Sequence, residues 1–135
     1  MVRMKKLLVL FLSVVVMASC TQYAKVQKSM DYDYKYELAK AYYMEGEYSQ
    51  ASSLLEDVLA FMKGTIYAEE SLYMLSMCYY NMKDYVTASH YFTTYYNTYP
   101  RGIYAEVARF MSARALYLDT PDPRLDQSST IRAIG

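Results

Sequence analysis

The sequence predicts an all-α fold of helical hairpins stacked side by side, and three observations lead there. An internal similarity returns every 37 residues, apolar and small side chains recur at helical spacing within each unit, and Gly, Pro or Asp falls where each unit must turn. Tyr67-Ala68-Glu69 comes back as Tyr104-Ala105-Glu106. The same step joins Tyr36, Tyr73 and Phe110; Ala39, Ser76 and Ala113; Tyr43, Tyr80 and Tyr117; and, over two units, Tyr42 with Tyr79, Tyr48 with Tyr85 and Ala51 with Ala88.

Taken in order, the first unit opens with a helix from about Tyr32 to Met44, turns at Gly46, and runs a second helix that ends at Lys63-Gly64. In the second unit Thr65 stands as an N-cap ahead of a helix from near Ile66 to Met82. Leu72, Leu75, Ser76 and Tyr79 follow the i, i+3, i+4, i+7 spacing of an amphipathic face. Lys83-Asp84 makes the turn, Asp84 caps the next helix, and Tyr99-Pro100-Arg101-Gly102 stops it after Thr98. A third first-helix is expected over Ile103 to Leu118. Asp119-Thr120-Pro121-Asp122-Pro123 then departs from the repeat turn, and Asp122 with Pro123 reads as the N-cap and first turn of one more helix that Gly135 cuts short.

What precedes the repeats is an address. Met1 to Lys6 is cationic, Leu7 to Val16 is almost wholly apolar, and Met17-Ala18-Ser19 places small residues ahead of Cys20. The apolar stretch from Leu7 to Ser19 is 13 residues, against about 20 for a helical span of a bilayer, so a cleaved signal is expected rather than a membrane helix. The residues before Cys20 resemble a lipobox, in which cleavage makes the cysteine the new N-terminus and acyl chains attach to it; the other reading is an ordinary signal with an incidental cysteine. The expected division is a signal peptide over 1–19, a lipidated N-terminus and linker over 20–30, and a repeat domain over 31–135. Thr21-Gln22-Tyr23-Ala24 carries no acidic sorting residue, which favours the periplasmic face of the outer membrane, with attachment through the lipid on Cys20.

Composition narrows the function. Among 135 residues the hydrophobic share is 54% and the charged share 21%, the balance of a chain that can bury a core. Three of the fourteen basic residues (Arg3, Lys5, Lys6) and no acidic residue precede Cys20, leaving 11 basic against 14 acidic groups after it. A mildly acidic module lacks the basic footprint that draws nucleic acid, so none is expected as a partner. The single histidine, His90, has no cysteine or carboxylate at ligand or triad spacing, and no CxxC, HExxH or glycine-rich phosphate loop occurs. No catalytic activity, metal site or small-molecule substrate is expected, and no cofactor apart from the covalent lipid. Cys78, the other cysteine, has no partner if Cys20 is acylated and reads as a small buried hydrophobe.

Two resemblances add to this. Ala39, Tyr42, Gly46, Tyr48 and Ala51 in the first unit, and Ser76, Tyr79, Tyr85, Ala88, Phe92 and Pro100 in the second, resemble the tetratricopeptide repeat, which implies hairpins stacked in a right-handed superhelix, about two and a half of them here. The small residues suit that reading, because two helices approach closely only where a side chain is nearly absent. By position, the resemblance implies a concave groove with Tyr36, Tyr73 and Phe110 in one row, Tyr43, Tyr80 and Tyr117 in another, and Lys40, Met77 and Arg114 between. Tyrosine offers a large contact area with a hydrogen-bonding tip, yet aromatic stripes at this spacing serve packing as readily as binding, and both uses stay open.

The lipobox, Asp-Tyr-x-Tyr-Lys-Tyr-Glu at 31–37, Leu-Leu-Glu-Asp-Val at 54–58, Asp-Tyr-x-x-Ala-x-x-x-Phe at 84–92 and Pro-Asp-Pro-Arg-Leu-Asp at 121–126 together resemble the BamD family, lipoproteins of the outer-membrane β-barrel assembly machine, in its Bacteroidetes form. That resemblance implies partners among nascent outer-membrane β-barrel proteins and the barrel-forming assembly subunit, and a full chain about twice as long, of which this is an N-terminal portion. Two other functions remain: recognition of glycan or peptidoglycan, and a periplasmic repeat scaffold coordinating envelope growth.

Overall fold

A computed structural model describes residues 1, 3–7, 25, 31–120 and 127–134, the last stretch without the side chain of residue 129. Cys20 and its lipobox, nearly all of the linker, the 121–126 insertion and Gly135 lie outside the described residues. The chain divides into two units, Met1–Asp31 and Tyr32–Gly135; in the first, residues 3–7 are helical.

The second unit is built of helices α1 (Tyr32–Glu45), α2 (Tyr48–Phe61), α3 (Ile66–Asn81), α4 (Tyr85–Thr98), α5 (Ala105–Leu118) and α6 (Ser128–Ile134), with no strand among the described residues. Each helix packs against the next in the chain, and α1 also reaches α3. This is the stacked array of helical hairpins that the repeat predicts.

The turns show the repeat in the backbone itself. After α1, Gly46 adopts φ 81°, its N–H donates to Tyr43 O at 3.2 Å, and the N–H of Glu47 donates to Tyr42 O at 2.8 Å. The same bonds recur 37 residues on, from Lys83 to Tyr80 O (3.1 Å) and from Asp84 to Tyr79 O (3.0 Å), with Lys83 at φ 64°. Both turns therefore close through a left-handed residue of the Schellman type. Lysine tolerates the second at a cost of about 1–2 kcal/mol that glycine avoids. Asp84 caps α4 as expected, its Oδ1 accepting from the Thr87 N–H at 3.1 Å.

Thr65 differs from expectation. It holds the N-cap position of α3 in an extended conformation, but its hydroxyl makes no cap bond and instead donates to Met62 O at 2.7 Å. The turn that brings the Thr65 N–H to the same carbonyl, at 3.2 Å, puts that acceptor within reach. Two boundaries also shift inward. Helix α2 ends at Phe61, ahead of the left-handed Gly64, and α5 starts at Ala105, because Gly102 and Ala105 spend their N–H groups on turns to Tyr99 O and Gly102 O.

Ala39, Ala51, Ser76 and Ala88 are all fully buried, and the Ser76 hydroxyl is satisfied within its helix by Leu72 O at 2.7 Å. A second buried face also keeps the 37-residue register: Ala68 with Ala105, Ser71 with Ala108, Met74 with Met111, Leu75 with Ser112 and Cys78 with Ala115. Phe92 and Tyr95 of α4 fill the space between hairpins, in one cluster with Leu72 of α3 and Ala105, Ala108, Met111 and Ala115 of α5. The Tyr95 hydroxyl donates to Glu69 Oε1 at 2.7 Å and accepts the Tyr104 N–H at 3.3 Å, tying the α4–α5 connection to the start of α3.

Gly46 and Gly102 are needed for different reasons, and alanine at each separates them. A Cβ on Gly46 meets nothing, so Gly46→Ala should cost only the left-handed backbone, roughly 1 kcal/mol in chemical denaturation. A Cβ on Gly102 would lie 2.5 Å from Glu69 Oε1 and 2.7 Å from the Tyr95 hydroxyl; Gly102→Ala should cost about 1–3 kcal/mol through that overpacking. Cys78 is wholly enclosed and burial pushes its thiol up to about 12. In a Cys20→Ala chain an aromatic disulfide reagent should modify Cys78 about a hundredfold or more slowly in the native state than in denaturant.

Candidate functional site

The expected groove residues fall on α1, α3 and α5, and the structure grades them from buried to exposed. Tyr36 is 3% exposed. Its hydroxyl donates to the Glu70 carboxylate of α3, and its ring lies 4.7 Å, centroid to centroid, from that of Tyr67. Lys40 sits 5.2 Å from the centre of the Tyr36 ring and pairs with Glu70 Oε1 at 3.3 Å. An open aromatic row is therefore not what α1 presents at Tyr36, which is buried against α3, while Lys40 stays partly exposed and pairs with Glu70.

The α3 members are half-buried. Tyr73 stacks on Tyr104 with centroids 4.1 Å apart and planes at 11°, and meets Phe92 and Tyr95 edge-on at 6.1 and 5.8 Å. Tyr80 packs edge-on against Tyr85 at 5.5 Å and Phe92 at 6.5 Å; Tyr43, in α1, does the same with Tyr48 at 5.9 Å. Met77 lies half-buried between Tyr73 and Tyr80 in the sequence register.

On α5 the same positions face solvent. Phe110 is 61% and Tyr117 68% exposed, Arg114 is exposed, and Val107 extends the stripe at helical spacing. On α1 and α3 the equivalent rings are covered: Tyr36 meets Tyr67 and Tyr73 meets Tyr104, in each case a residue 31 positions on, at or next to the start of the following first-helix.

Sequence reasoning named several of the residues that receive these rings as repeat positions but did not read them as partners of the groove residues. Tyr67 with Tyr104, and Tyr48 with Tyr85, recur at the 37-residue step, so the signal was present; Glu70 gave none, because Val107 stands at its equivalent position. His90 is exposed on α4, its ring 5.6 Å from that of Tyr91, and borders a cavity of about 650 Å³ with Ser89, Thr93, Tyr96, Ser112 and Arg132. Among the described residues no group of three or more His, Cys, Asp or Glu is placed to hold a metal ion.

The tyrosine hydroxyls carry a pH signature. Burial, reinforced by the hydrogen bond to Glu70, pushes Tyr36 up to about 12, and burial pushes Tyr43 up to about 12. Tyr79 is raised by its hydrogen bond to Glu56 and by burial, and Tyr95 by burial and by Glu69. Free tyrosine ionises near about 10, so above that pH the unfolded chain releases protons that the folded chain keeps. The contribution is complete below about pH 10 and is lost as pH rises toward 12. Thermal melts followed by circular dichroism should fall steeply between about pH 10 and 12, and Tyr36→Phe should remove part of that slope.

No curated protein matches the chain. The profile of the YfiO family, described as outer membrane lipoprotein, matches residues 28–135, which takes in every helix from α1 to α6. Among the described residues no helix is long and apolar enough to cross a membrane. The chain belongs to the YfiO family of outer membrane lipoproteins.

Proposed function

We propose that this protein is a scaffold of outer-membrane β-barrel assembly in the manner of BamD, held at the periplasmic face of the outer membrane by lipid on Cys20. It would engage nascent barrel proteins and the barrel-forming subunit without performing chemistry of its own. Family membership supports the general role, and the Leu7–Ser19 signal ahead of Cys20 supports the anchor.

The observation that carries the binding role is the α5 stripe. Val107, Phe110, Arg114 and Tyr117 follow one another at intervals of three and four residues on one side of the helix, and all four are exposed. Contiguous exposed apolar surface with a polar member is what a protein-contact face looks like. A chain lying across it would bury the two rings and meet the Arg114 guanidinium with a carboxylate or backbone carbonyls. The rings of the α1 and α3 rows are engaged instead in packing, with Tyr67, Tyr104, Phe92 and Tyr85.

The test separates the two roles. In the lipidated protein, Phe110→Ser combined with Tyr117→Ser should leave helicity unchanged and lower crosslinking to nascent barrel proteins about tenfold, as loss of interface anchors does. Tyr73→Ala should instead lower thermal stability, by about 2 kcal/mol, through its lost stack. Unchanged crosslinking in the folded double variant would remove α5 as the contact face.

A further inference from the structure

A cleft of about 270 Å³ lies between the starts of α3 and α5, lined by Ile66, Glu69, Glu70, Ile103 and Tyr104. Its rim is unusual for a surface. Ile66 and Ile103 stand 37 residues apart in the repeated Ile-Tyr-Ala-Glu, and they are 84% and 81% exposed. Scattered exposed apolar residues need no explanation, but the same β-branched residue facing water at the same register in two units, across one cleft, is a paired feature.

The wall is acidic and held in place. Glu69 Oε1 takes the Tyr95 hydroxyl at 2.7 Å, and no described residue bonds to its second oxygen. Glu70 takes the Tyr36 hydroxyl and pairs with Lys40 at 3.3 Å, an ion pair in which both side chains are about 40% exposed. Two carboxylates against one solvent-screened ammonium leave the cleft negative. Its volume is below the about 300–1,000 Å³ of small-molecule sites, which suits a single inserted side chain.

We infer that this cleft is a docking point for a polypeptide segment carrying a lysine or arginine between apolar side chains. The cationic head reaches the free oxygen of Glu69 while its methylene stem lies along Tyr104 and Ile103. The flanking apolar residues cover Ile66 and Ile103, removing two well-exposed side chains from water. Charge complementarity orients the segment and apolar burial holds it. The inference is independent of the α5 stripe, since neither Phe110 nor Tyr117 borders the cleft.

The test uses the full chain and a fluorescent, end-capped peptide Val-Ser-Val-Lys-Val-Ser-Val, beside the same peptide with Glu at its centre, followed by anisotropy at low ionic strength. The Lys peptide should bind about tenfold or more tightly than the Glu peptide. Ile66→Ser with Ile103→Ser, changes confined to exposed side chains, should weaken it about tenfold with the circular dichroism spectrum unchanged. Glu69→Gln keeps an acceptor for Tyr95, and should weaken binding about fivefold and flatten its salt dependence. Equal binding of the two peptides, binding of neither, or an unchanged affinity in the folded isoleucine double variant would overturn the inference. The Phe110 and Tyr117 serine variant should bind the Lys peptide like the parent chain, so the two surfaces fail or stand separately.

Discussion

How closely two helices can approach is the constraint on which the rest of this array depends. Helix axes come within about 8–10 Å only where the facing side chains are small, and Ala39, Ala51, Ser76 and Ala88 are all fully enclosed. Ser76 meets the added demand of a buried hydroxyl by bonding back to Leu72 O. With the hairpins closed at small residues, the large side chains are left to join one hairpin to the next. Phe92 and Tyr95 do so, sharing a cluster with residues of α3 and α5.

The abundance of tyrosine over phenylalanine, 18 against 4, follows from the same geometry. Rings packed between helices bury their faces while their hydroxyls reach acidic side chains on another helix: Tyr36 to Glu70, Tyr79 to Glu56 and Tyr95 to Glu69. A phenylalanine there would supply the area and lose the link. Lys35 meets a related demand: its side chain is only 4% exposed and ends 2.7 Å from Asp57 Oδ2. That pairing joins α1 to α2 and lets a charge remain inside the packed layer.

Position in the array decides what an aromatic ring does. Tyr36, Tyr73 and Phe110 occupy one register, yet the first is enclosed, the second half-covered and the third open. The difference lies in the neighbour, since Tyr67 and Tyr104 cover the first two. Among the described residues of this register the open ring is that of Phe110 on α5, while Ile66 and Ile103 stand exposed at the starts of α3 and α5.

The sequence by itself determined the helical array, its 37-residue step, the turn at Gly46 and the Asp84 cap, because each rests on local chemistry: helical periodicity, a left-handed residue, a carboxylate beside free N–H groups. It also carried the family of the protein, through the match over residues 28–135. Only the tertiary structure decided that Tyr36 is enclosed, that Lys40 is compensated by Glu70, that Thr65 turns back to Met62 O, and that two isoleucines stand exposed beside a carboxylate with one oxygen to spare. Periodicity says which side chains share a face of one helix. Whether that face meets a neighbour or water depends on where the other helices stop, and that is set by packing between segments distant in the chain.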